Sequence, residues 1–549
     1  MLWRGWGDPA RARRLPDPVR ELLRDLLGVR PAETPPASLA DVGVPASRLP
    51  AGARAALSAA VGADALLDDA ESRIRHTRGK STPDLLRIRC GDTSAAPDAV
   101  VLPGTHDEVL AVLRICTEQR VAVVPFGGGT SVVGGLAPAP APADGHGEPW
   151  PVIALDLGRL GRMVAFDPVS RTATFEAGLR APRAEELLRE RGHTLGHFPQ
   201  SFEWATIGGF AAARSSGQAS AGYGRFDDMV VGLTVATPRG TMELGRAPKS
   251  AAGPDLRQLV LGSEGAFGVI TAVTLRVRPA PRTAAYEGWR FPSFAAGTAA
   301  LRTLAQDGPL PTVLRLSDET ETMVGLARPT RLAPGDTGDT GDTGDTGDIA
   351  AGCLVVAGYE GAAEDVVDRQ GRAHAVLRAA GGTPLGPEPG EQWAEGRYTA
   401  PYLRDALLDV GAFAETLETA TFWSGVPRLY EAVRQALTTT LTEAGTPPLV
   451  MCHISHVYPA GAALYFTVVA ADPGTAGWAW AKRAAGDAIA AAGGTISHHH
   501  GIGTDHLEWY AKEIGPLGVE VLRAVKERLD PAGILNPGIL VPQAAGSAA

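Results

Sequence analysis

Cysteine is scarce in this chain: four residues in 549, Cys90, Cys116, Cys353 and Cys452, with no CxxC pair among them. That excludes a disulfide framework and a thiolate metal centre, and buried free thiols are expected instead. Long apolar runs are missing as well. No segment has the unbroken apolar length that spanning a bilayer requires, and the start, Met1-Leu2-Trp3-Arg4-Gly5-Trp6-Gly7-Asp8, has no apolar core of the kind a secretory leader carries. The expected location is therefore the cytoplasm, with peripheral contact to a membrane left open. An excess of positive charge is also lacking. With 51 Lys and Arg against 61 Asp and Glu, the net charge is −10, which argues against nucleic acid as a partner.

What the chain has in quantity is glycine, 67 residues, and apolar side chains, 44% of the total. At this length one hydrophobic core is not enough, so two or three domains are expected. Residues 1–97 read as a helical preface, from the apolar spacing of Val19 to Leu27 and of Ala53 to Leu67. From residue 98 to 283, short β-branched runs such as Ala99 to Leu102 and Val121 to Val124 alternate with helical stretches such as His106 to Gln119, a βαβ texture. Proline punctuation at Pro279 and Pro281 precedes a second unit, 284–494. Its interior repeat GDTGDTGDTGDTGD, residues 335–348, has nothing to bury and is expected to be a disordered loop. A C-terminal segment, 495–549, returns to helix from Leu507 to Leu529. The fold class is α+β.

Two motifs carry chemistry. Pro125-Phe126-Gly127-Gly128-Gly129-Thr130-Ser131 follows directly on a strand, and three consecutive glycines let backbone N–H groups converge on a pyrophosphate without Cβ clashes. The run is not GxGxxG, and no GKS or GKT follows it, so the two common nucleotide motifs are excluded; standing alone it reads equally as a plain strand-to-loop turn. The second motif is His498-His499-His500, set among glycines about fifty residues from the end and so not a purification tag. Imidazoles titrate near neutral pH, and this triplet is where proton transfer is expected.

Together with the blocks Gly196 to Gly209, Arg214 to Gly217, Tyr223 to Asp228 and Gly262 to Thr271, in that order, the glycine loop resembles the flavin-binding domain of the vanillyl-alcohol oxidase superfamily. The resemblance implies an FAD-binding domain over residues 98–283 beside an α+β cap domain over 284–494, with residues 495–549 completing the active site. FAD would lie along Pro125, Phe126, Gly127, Gly128, Gly129, Thr130 and Ser131, then Gln200, Ser201, Phe202, Glu203, Trp204, Ala205 and Thr206. Ala213, Arg214, Ser215 and Ser216 would follow, with Glu264, Gly265, Ala266, Phe267, Gly268, Val269 and Ile270. Members that attach FAD covalently use a His or Cys in or near the glycine loop. None lies between Glu118 and Asp144, and His197 is a poor substitute, so non-covalent FAD is implied.

One branch of that superfamily, the D-lactate and 2-hydroxyglutarate dehydrogenases, holds zinc. In the matching stretch here His456 keeps the first ligand position, Tyr465 replaces the second and His499 replaces a Glu, so no metal is expected, although His453, His456 and the triplet are imidazoles of the kind zinc accepts. The alkylglycerone phosphate synthase branch is resembled nearly end to end: Trp3 to Gly7, Gly127 to Ser131, Arg315, Arg404, Tyr465 and His498 to Gly501. That resemblance implies a redox-neutral, FAD-dependent transferase of ether lipid synthesis, exchanging the acyl chain of an acyl dihydroxyacetone phosphate for a long-chain alcohol. Tyr465 would be the acid/base, with His498, His499 and His500 in the same catalytic group. His499 and His500 would carry protons and contact phosphate, and Arg404 and Arg315 would fork onto phosphate or the departing carboxylate. Family analogy adds lipid-like small-molecule substrates and a homodimer. Taken without the resemblance, Tyr465 reads as packed core, Arg404 as a surface pair and Arg315 as an interface residue. Phe413, Phe422 and Trp423 either line an alkyl tunnel or pack in the core. The alternative function is an FAD-dependent dehydrogenase of a 2-hydroxy acid or other alcohol, in which the same imidazoles take the hydroxyl proton.

Overall fold

Three sheets carry the fold in a computed structural model that describes residues 1–31, 35–137, 149–326 and 352–542. The GDT repeat lies outside the described residues. In the first sheet, strands Ala99–Val101 and Ala122–Phe126 each pair in parallel with Val152–Asp156, and the short strand Leu66–Leu67 adds an antiparallel edge. Helix His106–Gln119 makes the crossover. It starts where the Thr105 hydroxyl accepts from the Glu108 N–H, and it ends where Arg120 turns left-handed. A second, antiparallel sheet has the order Met163–Asp167, Thr172–Glu176, Val269–Arg276, Val230–Thr237, Gly240–Leu244. The two sheets share one core, and Ile534 and Leu535 of the C-terminal segment enter it, with Leu535 bridging to Val123.

The third sheet has seven antiparallel strands, drawn from residues 283–471, in the order Thr383–Gly386, Thr283–Phe291, Cys353–Gly361, Val313–Ser317, Leu449–Val457, Gly461–Ala471, Ala412–Phe422. Side chains alternate across a strand, so its two faces can be read off directly. Leu464, Phe466 and Val468 join Val450, Cys452, Ile454, Leu314 and Leu316 in a core with helices Val426–Glu443 and Gly474–Ala491. Tyr465, Thr467 and Val469, with Met451, His453 and Arg315, take the other face and line a cavity.

The N-terminal preface is helical but shorter than its apolar spacing predicts. Helix Ala51–Val61 stops at Gly62, whose φ of +90° breaks it, and the residues beyond become the edge strand. Helix Asp17–Leu27 does not stand apart. Its flanks Leu15 and Val29 pack with Leu407, Ala412, Met451 and Val469, so it covers part of the cavity face of the seven-stranded sheet. Helix Leu507–Leu529 appears over the predicted range with a break at Gly515–Pro516, and packs on Phe267 and Leu540. Of the four thiols, Cys90 is exposed, unlike the expectation, and the other three are buried.

Candidate active site

One cavity of about 1010 Å³ runs between the glycine loop and the polar face of the seven-stranded sheet. Strand Ala122–Phe126 delivers the loop to it. A Cβ on Gly128 would sit 2.4 Å from the Trp204 carbonyl oxygen, and Gly129 has a φ of +67°, so both positions require glycine. Gln200, Ser201, Ala205, Thr206, Ala213, Ser215, Ser216, Glu264, Gly265, Gly268, Val269 and Ile270 complete this end. Four buried polar atoms of its lining have no protein partner: Ser131 Oγ, Gln200 Nε2, Gln218 Oε1 and Asn536 Oδ1. Buried polar groups are rarely left so, and a glycine cradle ringed by orphan donors and acceptors fits a dinucleotide.

Six of the expected cofactor residues turn elsewhere. Phe202 stacks on Tyr398, Glu203 pairs with Arg11 and accepts from Tyr402, and the Trp204 ring lies under Arg180. Arg214 reaches Leu261 and Gln258, while Ala266 and Phe267 pack under helix Leu507–Leu529. Each sits in a block whose neighbours do face the cavity. His197 is buried between Phe210 and Phe226 and bonds Ser215, outside the lining.

At the centre of the cavity stand Tyr465, His499 and His500. The Tyr465 hydroxyl donates to Thr416 Oγ1 at 3.0 Å, and its ring stacks on His453 at 4.9 Å, with His500 at 5.6 Å and His499 at 6.1 Å. Burial pushes the phenol up to about 12, so it is protonated at neutral pH. Burial drives the imidazoles the other way, His500 to about 3 and His499 also downward, against the opposing pull of the Glu418 carboxylate. Here, then, is a neutral phenol beside neutral imidazoles. His498 does not reach the cavity as expected: it lies behind, stacked on His456 at 4.9 Å, with Nε2 2.6 Å from the Tyr458 hydroxyl. His456 does reach it, because a bulge between Ile454 and His456 lets Ser455 and His456 share a face that regular alternation would divide. Where no metal was expected, nitrogens of His456, His498 and His499 lie within 4.8 Å of one another, a spacing a metal ion can use. The His498 and His499 Nδ1 atoms are nonetheless 3.0 Å apart, which is hydrogen-bond distance between the rings themselves, and Ser220 Oγ sits 2.6 Å from His456 Nδ1.

Both predicted arginines line the cavity, in different electrostatic states. Arg315 donates to Glu321 at 2.5 Å and approaches His453 Nδ1 at 3.0 Å; burial resists ionisation of Glu321, but His453 and Arg315 together bring it down to about 2. Its charge is thus already met. Arg404 donates to the Lys80 carbonyl at 2.6 Å and more weakly to Asp405, and its buried Nε is unpartnered. Lys80 also lines the cavity and was missed in the sequence, since nothing local marks it. Its ammonium donates to the Leu2 and Trp3 carbonyls at 3.3 and 3.1 Å, and burial with Arg404 nearby lowers it to about 8.

The opposite end is apolar: Leu15, Val19, Leu22, Leu23, Leu26 and Leu27 face Met323, Leu403, Leu407, Leu449 and Met451. The aromatic residues considered for this wall are elsewhere. Phe413 packs on Trp478 in the core, the Trp423 indole donates to the Tyr458 carbonyl, and Phe422 is 72% exposed.

Residues 97–245 match the family described as FAD binding domain, and residues 280–540 match FAD linked oxidases, C-terminal domain. Alkyldihydroxyacetonephosphate synthase of Trypanosoma brucei brucei is 33% identical over 99% of this chain and 92% of its own. The enzyme of that name from Dictyostelium discoideum is 34% identical over 87% of this chain and 79% of its own. A solved alkyldihydroxyacetonephosphate synthase superposes with a TM-score of 0.81 at 29% identity, covering 98% of both chains. The chain belongs to the alkyldihydroxyacetonephosphate synthase family, with a fold of the vanillyl-alcohol oxidase type and FAD as its cofactor.

Proposed function

We propose that the protein exchanges the acyl chain of an acyl dihydroxyacetone phosphate for a long-chain alcohol, forming an ether with no net oxidation. The observation that carries this is the continuity of one cavity from the glycine cradle, past a phenol, imidazoles and a part-free guanidinium, to a wall of leucines. A small 2-hydroxy acid would use only the polar middle and leave the apolar wall without purpose. FAD would be held non-covalently by Pro125 to Ser131 and the orphan polar atoms opposite, and would supply an electron-accepting ring for the pair that proton removal leaves on the substrate carbon.

The remaining work falls to this chain's side chains. The proton on the carbon between the ester oxygen and the ketone passes to neutral His499 or His500. The carbon–oxygen bond to the acyl group then breaks, and the fatty acid leaves as a carboxylate toward Arg404, whose unpartnered Nε offers a charge-assisted hydrogen bond. The alcohol forms the new carbon–oxygen bond and passes its own proton through the second imidazole to solvent, matching the acid released as carboxylate, and the carbon is reprotonated from the imidazole that took its proton, directly or through Tyr465. Proton count and oxidation level close. Lys80 and Arg404 together give the phosphate a cationic corner.

The substrates are lipid-like, and no helix of the described residues is long and apolar enough to cross a membrane. Helix Asp17–Leu27 serves as the entrance on a membrane surface, since Leu22 and Leu26 line the cavity while remaining 55% and 70% exposed. The test mixes enzyme anaerobically with an acyl dihydroxyacetone phosphate plus hexadecanol and, separately, with a panel of 2-hydroxy acids, following flavin absorbance and products by mass spectrometry. Ether product with unbleached flavin is expected; stable bleaching by a hydroxy acid, with no ether, would make the protein a dehydrogenase.

A further inference from the structure

We infer that Glu418 is the positioning residue of the histidine triplet, the anchor and fixed negative charge through which His499 and His500 present their rings to the cavity. This rests on the proton-carrying role proposed for those imidazoles. Glu418 comes from strand Ala412–Phe422, and its side chain is wholly buried. Its Oε1 accepts from the Ser497 hydroxyl at 2.8 Å, the His499 N–H at 3.0 Å and the His500 N–H at 2.8 Å; its Oε2 accepts from the His498 N–H at 2.6 Å. Three consecutive backbone amides converging on one carboxylate fix the backbone of the triplet, and with it the direction in which each ring projects. The Gly501 N–H donates to Ser497 Oγ at 3.1 Å, and the two amides after it are held from the flavin side, where Glu264 Oε2 accepts from Ile502 and Gly503, both at 2.9 Å.

The charge matters as much as the hydrogen bonds. Burial alone would favour a neutral Glu418, but attraction to the neighbouring imidazoles whenever they carry a proton, together with the four donors, holds the carboxyl well below the usual range, so it is ionised. The Nδ1 atoms of His499 and His500 stand 3.6 and 3.9 Å away, too far for hydrogen bonds and close enough for strong attraction in a buried site. A proton arriving on either ring meets a counter-charge already in place. Of the other groups around the two rings, Arg225, His453 and Lys482 oppose that proton; His498, His456 and Tyr465 complete the surroundings. Glu418 is the one carboxylate within 4.0 Å of the triplet's imidazoles among the described residues.

The experiment compares wild type, Glu418→Gln and Ser497→Ala as full-length FAD-loaded enzyme. It measures FAD content, kcat and KM separately, and backbone amide exchange over 497–503 by mass spectrometry. Glu418→Gln removes the charge and sets an NH₂ against an amide N–H. It should keep its FAD and hold KM within about twofold while kcat falls about a hundredfold, as expected for lost proton transfer, with faster exchange confined to residues 498–500. Ser497→Ala removes two hydrogen bonds, the one donated to Glu418 Oε1 and the one accepted from the Gly501 N–H, and leaves the charge, so kcat should stay within about threefold. An unchanged kcat in Glu418→Gln overturns the proposal, as does a parallel loss of FAD, kcat and substrate affinity in both variants, the mark of a mere scaffold. If wild type forms no ether product, the functional reading falls by itself, and unchanged exchange at 498–500 in Glu418→Gln would still overturn the role of Glu418.

Discussion

Tyr465 shows how a residue in an apolar strand can still face a cavity. Its neighbours Leu464 and Phe466 point into the core, its own ring points into the cavity, and Thr416 Oγ1 accepts a hydrogen bond from its hydroxyl. Tyr465→Phe should keep FAD and fold while turnover falls at least about a hundredfold, checked by flavin absorbance alongside product formation. Near-normal turnover would remove Tyr465 from the mechanism. The placing of Tyr465, His499 and His500 at one cavity was legible in the sequence because they lie in marked surroundings, the triplet among glycines and Tyr465 in a run matching a known family. Lys80, Glu418 and Asn536 were not. They are ordinary residue types from three distant segments, and only the folded chain brings Lys80 to the Leu2 and Trp3 carbonyls, Glu418 to three amides and Asn536 to the Gly135 and Glu264 carbonyls.

At the level of the element, short β-branched runs marked strands Ala99–Val101 and Ala122–Phe126, and the helix from His106 to Gln119 was plain from its spacing. The bulge at Ser455 was invisible, because one inserted residue leaves the local pattern intact and shows only in the partner strand's register. Helix Asp17–Leu27 was legible as a helix and not as a wall, since an apolar face does not say what it covers. Its two exposed leucines give a prediction. Leu22→Asp with Leu26→Asp should weaken binding to phospholipid vesicles and raise KM for vesicle-borne hexadecanol about tenfold, as the loss of apolar contact at an interface implies. Turnover of a short, soluble alcohol should hold within about twofold. Equal losses on both substrates would place the leucines in the fold instead of at the entrance.

Across the whole molecule, buried neutral imidazoles set the acid limit of stability. Burial lowers His197 and His500 to about 3 and His506 to about 4, against 6.5 for a free imidazole. Between those values the unfolded chain binds protons that the folded chain refuses, so the contribution of these groups to stability is complete above about pH 6.5 and is lost as pH falls toward 3 to 4. The thermal midpoint should therefore drop from pH 7 to pH 5, and His197→Phe, which takes one such group out of its aromatic pocket, should make the drop shallower. An identical slope would assign acid sensitivity to other groups.

The loop from Ser497 to Gly503 is moored to Glu418 in one half of the molecule and to Glu264 in the other. Chimeras that graft the seven-stranded half of one relative onto the flavin half of another must therefore inherit the loop and both carboxylates as a single unit.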